Sequence, residues 1–335
     1  MIKEAISKLI QRQNLNRQEA EEVLLEIMEG KSTDAKIAAL LTALRMKGET
    51  IDEIAAFAKI MRQKAVNINP KVESLVDTCG TGGDNSNTFN ISTACALVVS
   101  GAGIPVAKHG NKSVSSKCGS ADVLAELGIN IELNPKQVEK CIEETGFGFM
   151  YAPLFHPAMK FVSNARREIG VRTIFNLLGP LTNPANAKSQ LIGVFDETLL
   201  EEIVKVLKYL GSSHVIAVNG SSLDEITVCG KTKVCELKNN KIKSYFLEPM
   251  DFGFEKSNLH QIAGGSPAEN SKIIIDILNG KKGPKRDVVV MNSAAAIMAS
   301  DKAKALKDAV GIAEQSIDSG NALKKLKEII TFTNA

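Results

Sequence analysis

The apolar pattern of the chain changes near Pro70, and that change limits the folds open to it more than any other feature. From residue 2 to about residue 66, apolar residues recur at helical spacing, which predicts helices with one buried face. Beyond Pro70, short apolar or β-branched runs are each followed by a turn and a helical stretch, the pattern of βα units. The sequence therefore predicts an α/β protein with a small all-helical N-terminal domain (1–68) and a larger α/β domain (70–335).

The second domain is predicted to hold an open, mostly parallel central sheet with flanking helices. The predicted strands are 74–77, 104–107, 147–151, 190–195, 214–218 and 226–229. The predicted helices are 93–100, 121–127 and 199–210, with further helices near the C-terminus at 273–278, 288–300 and 302–319. The segment 157–184 combines a basic helix with a Gly/Pro/Asn-rich loop. We expect it to return to the helical domain and leave again, which creates a cleft between the domains.

The composition excludes several classes of protein. Lys and Arg number 41 against 38 Asp and Glu, and 44% of residues are hydrophobic, so the chain is neither disordered nor strongly basic. With only 4% aromatic residues and no Trp, a non-catalytic nucleic-acid-binding protein is disfavoured. The six cysteines form no CxxC pair, the N-terminus MIKEAISKLIQRQ has no apolar signal stretch, and no run suits a bilayer. We expect a cytoplasmic protein without membrane or nucleic-acid partners.

The densest chemical signal is the sequence DTCGTGGDNSNTFNIST at 77–93. Three glycines after a predicted strand (Gly80, Gly82, Gly83) permit positive φ and leave backbone N–H groups open to an anion. The polar residues that follow lie at the start of the next helix, where hydroxyl donors and the helix dipole favour phosphate. A tight turn with good capping residues is the structural alternative for this loop alone.

A second loop of the same kind, KHGNKSVSSKCGSADVL at 108–124, follows the next predicted strand. It has three lysines and four serines, and its first acidic residue is Asp122. Lysines supply point charges and serines supply neutral donors, so the loop suits a multiply charged anion. A solvated basic loop is the alternative, but two such loops at neighbouring strand ends favour one shared ligand. Neither loop matches the GxxxxGK[ST] or GxGxxG nucleotide signatures.

These loops resemble the serial motifs of the anthranilate phosphoribosyltransferase family of tryptophan biosynthesis. The similarity includes GTGGD at 80–84, NIST at 90–93, KHGN at 108–111 and GSADVL at 119–124, and it extends to NARREIGVRTIFNLLGPLTNPA and LDEIT further along. The resemblance implies a fold of the nucleoside phosphorylase and phosphoribosyltransferase type, a homodimer, and transfer of the phosphoribosyl group of phosphoribosyl pyrophosphate (PRPP) to anthranilate with Mg²⁺.

The resemblance also implies which residues contact the substrates. Its PRPP contacts fall on Gly80, Gly83, Asp84, Thr88, Asn90, Ile91, Ser92, Thr93, Lys108, His109, Gly110, Asn111, Lys112, Ser113, Val114, Ser115, Ser116 and Ser120. Its anthranilate contacts fall on Gly80, Asn111 and Arg166, with His109, Met150, Tyr151 and His156 as walls of the acceptor channel. Many members of the family have Arg where this chain has Lys112, and that change weakens a bidentate phosphate contact.

The resemblance assigns Mg²⁺ to Ser92, Asp224 and Glu225. From the residues alone, Asp224 and Glu225 are the one acidic pair that follows a turn downstream of both phosphate loops, and Mg²⁺ prefers oxygen ligands. An exposed turn with two acids is also common, so the residues alone leave metal binding open.

The chemistry needs positioning more than proton transfer. Displacement of pyrophosphate from the ribose leaves negative charge on the leaving group, which the two loops and Mg²⁺ stabilise. The acceptor amine is neutral, so no residue is required as a general base. Adjacent helical residues diverge by about 100°, so only one of Arg166 and Arg167 faces the cleft, and the resemblance selects Arg166 for the acceptor carboxylate. Phosphorolysis of a pyrimidine nucleoside on the same fold is the nearest alternative reaction.

Overall fold

The N-terminal unit consists of four helices, and side-chain caps mark the starts of the last three. The computed structural model describes residues 1–84, 86–113, 117–221 and 223–335. The helices are α1 (Ile2–Ile10), α2 (Arg17–Met28), α3 (Asp34–Lys47) and α4 (Ile51–Lys64). The side chains of Asn16, Thr33 and Thr50 accept hydrogen bonds from backbone N–H groups in the first turns of α2, α3 and α4. The helical periodicity of this region is therefore confirmed.

The α/β unit is built on one sheet with the strand order β3-β2-β1-β4-β5-β6-β7 in the described ranges. The strands are β1 (Val76–Gly80), β2 (Val106–Gly110), β3 (Phe147–Tyr151), β4 (Ser189–Gly193), β5 (His214–Asn219), β6 (Thr232–Lys238) and β7 (Lys241–Leu247). The first five are parallel, whereas β6 and β7 are antiparallel. The chain order reverses between β1 and β4, and the crevice at the carboxyl ends of such a pair is where open α/β sheets bind ligands.

The predicted strand at 226–229 is wrong. Ile226 and Val228 are fully buried, but this segment is irregular, and the position next to β5 is taken by β6. An apolar run shows burial without showing what pairs with its backbone. The hairpin of β6 and β7 was not predicted, because its strands alternate lysines with apolar residues and one of them is an exposed edge.

Helices cover both faces of the sheet. They are α5 (Ile91–Gly101), α6 (Ser120–Glu126), α7 (Pro135–Thr145), α8 (Ala152–Phe155), α9 (Lys160–Ile169), α10 (Phe175–Leu181), α11 (Leu200–Tyr209), α12 (Pro267–Leu278), α13 (Pro284–Ala299), α14 (Leu306–Asp318) and α15 (Asn321–Thr333). The predicted helix at 302–319 begins only at Leu306, after a turn with positive φ at Asp301. Helices α7 and α15 were not predicted.

Two apolar cores lie on opposite faces of the sheet. One packs α5, α13, α14 and α15 on one face, and the other joins α1–α4, α9, α10 and α11 to the opposite face. The segment 157–184 lies against the N-terminal helices, since α9 contacts α2 and α3 and α10 contacts α4. Among the helices in the described ranges, none has both the length and the hydropathy to cross a bilayer.

Candidate active site

The candidate site lies at the carboxyl ends of β1 and β4, where the chain order of the sheet reverses. The loop after β1 has positive φ at Gly82 (66°) and Gly83 (79°), as its glycines predict. The Gly82 N–H donates to Asp224 Oδ2 at 2.7 Å. A carboxylate from 142 residues along the chain therefore lies in the loop where the sequence predicts an anion.

The turn that carries Asp224 and Glu225 rests on three glycines at the ends of neighbouring strands. A Cβ at Gly193 would overlap the backbone carbonyl oxygen of Asp224. A Cβ at Gly80 would overlap the side-chain carboxylate of Asp224. A Cβ at Gly220 would lie 2.5 Å from the Glu225 carbonyl oxygen. Gly80 and Gly193 are register partners in β1 and β4. Gly80 is recognisable in the sequence, but Gly193 and Gly220 are not, because their role depends on a segment that follows later in the chain.

The carboxylates of Asp84 and Glu225 each accept a backbone hydrogen bond at or beside this turn. Asp84 Oδ2 accepts from the Asp224 N–H at 3.2 Å, and Glu225 Oε1 accepts from the Ser92 N–H at 3.1 Å, at the start of α5. Burial and the charge of Asp84 raise the pKa of Asp224 to about 7, and burial with the charge of Asp224 raises the pKa of Glu225 well above its usual value. Like charges held together in this way favour a bound cation.

The oxygen-only donor set fits Mg²⁺. No three His, Cys, Asp or Glu side chains in the part of the chain that the structure describes converge as a complete metal site. Mg²⁺ ordinarily binds through one or two carboxylates and completes its shell with phosphates and water, so Asp224 and Glu225 suffice as protein anchors. The Ser92 hydroxyl already accepts a hydrogen bond from the Lys108 ammonium at 3.3 Å.

The sequence predicts Lys108 as a positive charge of the second loop, but the structure places it inside β2 with a buried side chain. Its side chain is only 1% exposed, and its ammonium donates to the Thr78 carbonyl and the Ser92 hydroxyl below the site. Strand alternation explains this position, because Lys108 lies within β2 and points into the layer between the sheet and α5. The buried ammonium stabilises the nearby Glu225 carboxylate electrostatically.

The loop after β1 and the loop after β2 are joined by Asn90, the residue before α5. Its Nδ2 donates to the Cys118 carbonyl of the second loop at 3.1 Å, and its Oδ1 accepts from Asn270 Nδ2 at 3.0 Å. Asn270 is fully buried and also accepts from the Gly265 N–H. Asn90 therefore holds the loops in register, and sequence analysis missed Asn270.

Three further predicted PRPP contacts, Thr88, Ile91 and Thr93, lie in the loop or at the start of α5, and two of them have buried side chains. Thr88 forms a β-bridge with Ala263. The Ile91 side chain is buried in the core, which leaves its backbone as the part near the site. Thr93 is buried and its hydroxyl has no hydrogen-bond partner in the described part of the chain.

The second loop closes on itself through Asp122. Asp122 Oδ2 accepts from the N–H groups of Ser113 (2.9 Å) and Gly119 (2.8 Å), and Ser120 Oγ donates to the Asn111 carbonyl at 3.4 Å. A Cβ at Gly110 would overlap Ser120 Oγ. The predicted contacts Val114, Ser115 and Ser116 lie outside the described residues.

Lys112 extends from this loop toward the end of β3. It is exposed, and its ammonium lies 5.8 Å from the centre of the Tyr151 ring. The side chain thus shares the sheet edge with one of the predicted channel walls.

The predicted acceptor residues form two groups. The rings of His109 and His156 pack with their centres 4.9 Å apart and their planes tilted by 55°, and both Nε2 atoms are buried without a partner in the described ranges. His109 Nδ1 donates to the Gly179 carbonyl at 3.2 Å, and His156 is hydrogen-bonded to the Thr182 backbone. Burial lowers the pKa of His109 to about 3 and that of His156 to about 4, so both rings are neutral.

Met150 and Tyr151 point to opposite faces of β3. Met150 is fully buried in an apolar cluster on the face of its register partner His109, whereas Tyr151 packs against the core on the other face. The two side chains therefore do not line the same wall within the sheet.

Arg166 and Arg167 behave as the helical geometry predicts. Arg166 is half-buried with its guanidinium 5.2 Å from the centre of the Phe175 ring, whereas Arg167 is exposed and donates to Asn164. The connection between α9 and α10 contributes a further arginine, Arg172, which sequence analysis missed.

Arg172 forms a hydrogen bond with the loop after β1. Its Nη2 donates to the Gly83 carbonyl, and its guanidinium lies 4.6 Å from the centre of the Phe195 ring. The Phe195 N–H in turn donates to Thr81 Oγ1 at 3.0 Å. The sequence does show three arginines between residues 166 and 172. It does not show which of them reaches the loop after β1.

Comparisons with known proteins agree with this architecture. A family model described as "Glycosyl transferase family, helical bundle domain" matches residues 3–65, and one described as "Glycosyl transferase family, a/b domain" matches residues 72–323. An anthranilate phosphoribosyltransferase of Acetivibrio thermocellus is 53% identical, with 100% of this chain and 97% of that protein covered. One from Methanocorpusculum labreanum is 50% identical, with coverages of 99% and 98%.

Solved structures of the same enzyme superpose closely on this chain. The anthranilate phosphoribosyltransferase of Thermus thermophilus has a TM-score of 0.93 at 40% identity, with 99% of each chain covered. The enzyme of Saccharomyces cerevisiae in complex with PRPP and Mg has a TM-score of 0.91 at 32% identity, covering 99% of this chain and 98% of its own. This chain therefore belongs to the anthranilate phosphoribosyltransferases of the glycosyl transferase family.

Proposed function

We propose that this chain transfers the phosphoribosyl group of PRPP to the amino group of anthranilate, giving N-(5-phosphoribosyl)anthranilate and pyrophosphate, a step of tryptophan biosynthesis. One observation carries the proposal: two glycine-containing loops from the neighbouring strands β1 and β2 are joined through Asn90 and Cys118 beside a buried acidic turn. Loop N–H groups and hydroxyls suit phosphate oxygens, and the acidic turn suits the cation that accompanies a diphosphate.

PRPP is proposed to lie between the two loops, with Mg²⁺ held by Asp224 and Glu225 beside Ser92. When bound, Mg²⁺ supplies positive charge that offsets the negative charge growing on the leaving pyrophosphate. The Gly82 N–H now donates to the Asp224 carboxylate, and it would be open to a phosphate oxygen if that carboxylate held the cation instead. Asp84, which accepts from the Asp224 N–H, would keep the backbone of the turn in place.

The acceptor is proposed to enter beside the second loop. Arg166 offers a planar fork that suits the anthranilate carboxylate, and its packing on Phe175 limits its rotamers. His109 and His156 offer neutral ring nitrogens that accept hydrogen bonds, which suits an arylamine N–H.

In the proposed reaction the ribose C1–O bond breaks and a C1–N bond forms. The bonding pair leaves with pyrophosphate, and the amine nitrogen supplies the pair of the new bond. The proton that the amine then releases goes to water. A general base works best with a pKa near the working pH, and a pKa of about 3 excludes His109 from that role. We propose that positioning of the substrates, together with charge stabilisation by the loops and Mg²⁺, supplies the catalysis.

The proposal is tested by mixing the protein with PRPP, Mg²⁺ and anthranilate and following anthranilate fluorescence together with pyrophosphate release. Equimolar loss of anthranilate and release of pyrophosphate is the expected result. A parallel sample receives thymidine or uridine with inorganic phosphate. Release of free pyrimidine there, with anthranilate untouched in the first sample, would assign nucleoside phosphorolysis instead.

We also propose a homodimer that resides in the cytoplasm. The exposed apolar side chains Ile10 on α1 and Met46 on α3, with exposures of 67% and 71%, support a dimer surface along the N-terminal helices. The six cysteines carry no disulfide, which suits a reducing compartment. Sedimentation at two protein concentrations tests the dimer, and Met46→Lys is expected to shift it toward monomer.

A further inference from the structure

A fully buried asparagine, Asn292, lies in the middle of α13. Apart from Ser293, its neighbours in the sequence VVVMNSAAAIM are apolar, and they pack in the core on one face of the sheet. A buried amide without partners costs about 1–3 kcal/mol. An apolar residue would fill this position without that cost, so the amide at this position requires an explanation.

All the polar atoms of the Asn292 side chain are hydrogen-bonded. Its Oδ1 accepts from the Ile226 N–H at 3.0 Å, and its Nδ2 donates to the Ile226 carbonyl at 2.9 Å. Nδ2 also donates to the Val288 carbonyl, one turn earlier in α13, at 2.8 Å. The side chain therefore pairs with the backbone of Ile226 as a neighbouring strand would.

The segment that follows the acidic pair needs such partners. Residues 225–228 are buried but belong to no strand or helix, so their backbone groups must be satisfied individually. The Thr227 N–H donates to Thr232 Oγ1 at 3.1 Å, while Asn292 serves both groups of Ile226. Ile226 is the residue directly after Glu225.

The acidic turn is thus confined from two sides. On the side of the sheet, the backbone of the turn contacts Gly193 and Gly220, and the Asp224 carboxylate contacts Gly80. On the side of α13, Asn292 is hydrogen-bonded to Ile226. We propose that Asn292 is a positioning residue for the magnesium pair: by holding the N–H and C=O of Ile226, it fixes the direction in which Asp224 and Glu225 present their carboxylates. This inference rests on the proposed function of the site.

Two substitutions and one control separate this role from general stability. Asn292→Asp keeps the shape but loses the amide donor to the Ile226 and Val288 carbonyls, and Asn292→Ala removes all three bonds. The matched control is Ile317→Ala, which empties a buried position of the same core on α14 and forms no hydrogen bond with the acidic turn. The affinity of each protein for PRPP is measured by calorimetry with and without Mg²⁺, and steady-state kinetics are measured alongside.

We expect both Asn292 variants to lose about tenfold or more of the gain in PRPP affinity that Mg²⁺ gives the wild type, the usual effect of removing a residue that orients metal ligands. Their PRPP affinity without Mg²⁺ and their KM for anthranilate should stay within about twofold of the wild type, and Ile317→Ala should keep the full gain.

Two results would overturn the proposal. One is an unchanged magnesium gain in the Asn292 variants. The other is an equal loss of PRPP and anthranilate binding, matching that of Ile317→Ala. Absence of turnover in the wild-type protein would instead reject the function on which the proposal rests, so the two failures are distinguishable.

Discussion

At the scale of single residues, the site depends on glycines whose role is visible only in three dimensions. Gly80 is recognisable in the sequence because it belongs to a glycine-rich loop after a strand. Gly193 ends an ordinary apolar strand, and its local sequence gives no sign that the Asp224 carbonyl lies against it. Local patterns singled out the two glycine-containing loops and the acidic pair, and the family resemblance selected Arg166 over Arg167. They could not predict contacts between residues far apart in the chain.

Gly193→Ala tests whether the acidic turn must rest on the sheet. The added methyl overlaps the Asp224 carbonyl and displaces the turn, so we expect kcat/KM for PRPP to fall about 10- to 100-fold. Gly311→Ala is the control, because a Cβ there meets nothing within 4 Å and the residue lies in α14. Wild-type kinetics in Gly193→Ala would show that the turn does not need this close approach.

Arg166→Ala tests the acceptor site, with Arg167→Ala as its control on the exposed face of α9. Loss of a charged, bidentate partner for a carboxylate costs about 1.5–3 kcal/mol. We therefore expect the KM for anthranilate to rise at least tenfold in Arg166→Ala, with the KM for PRPP nearly unchanged. Steady-state kinetics with each substrate varied provides the measurement. Equal changes in both constants would remove Arg166 from the acceptor site.

At the scale of elements, the parallel part of the sheet was predictable and its antiparallel end was not. Runs of buried residues followed by turns and helices predicted β1 to β5. At 226–229 the same signal failed, because the side chains of Asn292 and Thr232 provide the partners that a strand would provide. The segment 157–184 was expected to return to the helical domain, but the hydrogen bond of Arg172, between α9 and α10, to the loop after β1 was not expected.

Arg172→Ala tests whether this connection supports the loop after β1. Without the guanidinium, the Gly83 carbonyl loses its donor and Phe195 loses its stacking partner. We expect the KM for PRPP to rise about tenfold, while the KM for anthranilate changes little. Arg172→Lys should restore this only in part, because an ammonium cannot stack and fork as a guanidinium does. Full activity in Arg172→Ala would contradict the role.

At the scale of the whole molecule, one of the two cores is shared between the N-terminal helices and the sheet. The sequence suggested separate helical and α/β units, and the apolar face of each unit was predictable from its periodicity. Which faces meet was not predictable, since the same apolar residues could close either unit by itself. His109 and His156 were predicted as walls of the acceptor channel, but the sequence did not predict that their rings pack against each other as a buried, neutral pair.

The buried histidine pair predicts how stability depends on pH. The folded pKa values of about 3 and about 4 lie below the ordinary value of 6.5, so the unfolded chain binds more protons below pH 6.5. The contribution of this pair to the free energy of unfolding should therefore fall as the pH drops from 6.5 toward 4, by up to about 1.4 kcal/mol per pH unit for each histidine. The raised pKa values of Asp224 and Glu225 act in the opposite direction over this range, so the histidine pair is tested by comparing variants rather than by the total slope.

Urea unfolding at several pH values provides the measurement. His109→Gln and His156→Gln should each lose less unfolding free energy than the wild type between pH 6.5 and pH 4. His260→Gln, at an exposed position, should match the wild type. An identical slope in all three variants would show that the pair does not account for the acid sensitivity.

The central claim is that the two phosphate loops and the acidic turn hold one PRPP molecule and its cation. Its most direct test is a crystal structure with PRPP and Mn²⁺, in which anomalous scattering locates the metal. We predict the metal at the carboxylates of Asp224 and Glu225, with the diphosphate between the loop at 80–84 and the loop at 108–120. A metal bound elsewhere, or a diphosphate that touches only one loop, would contradict the account.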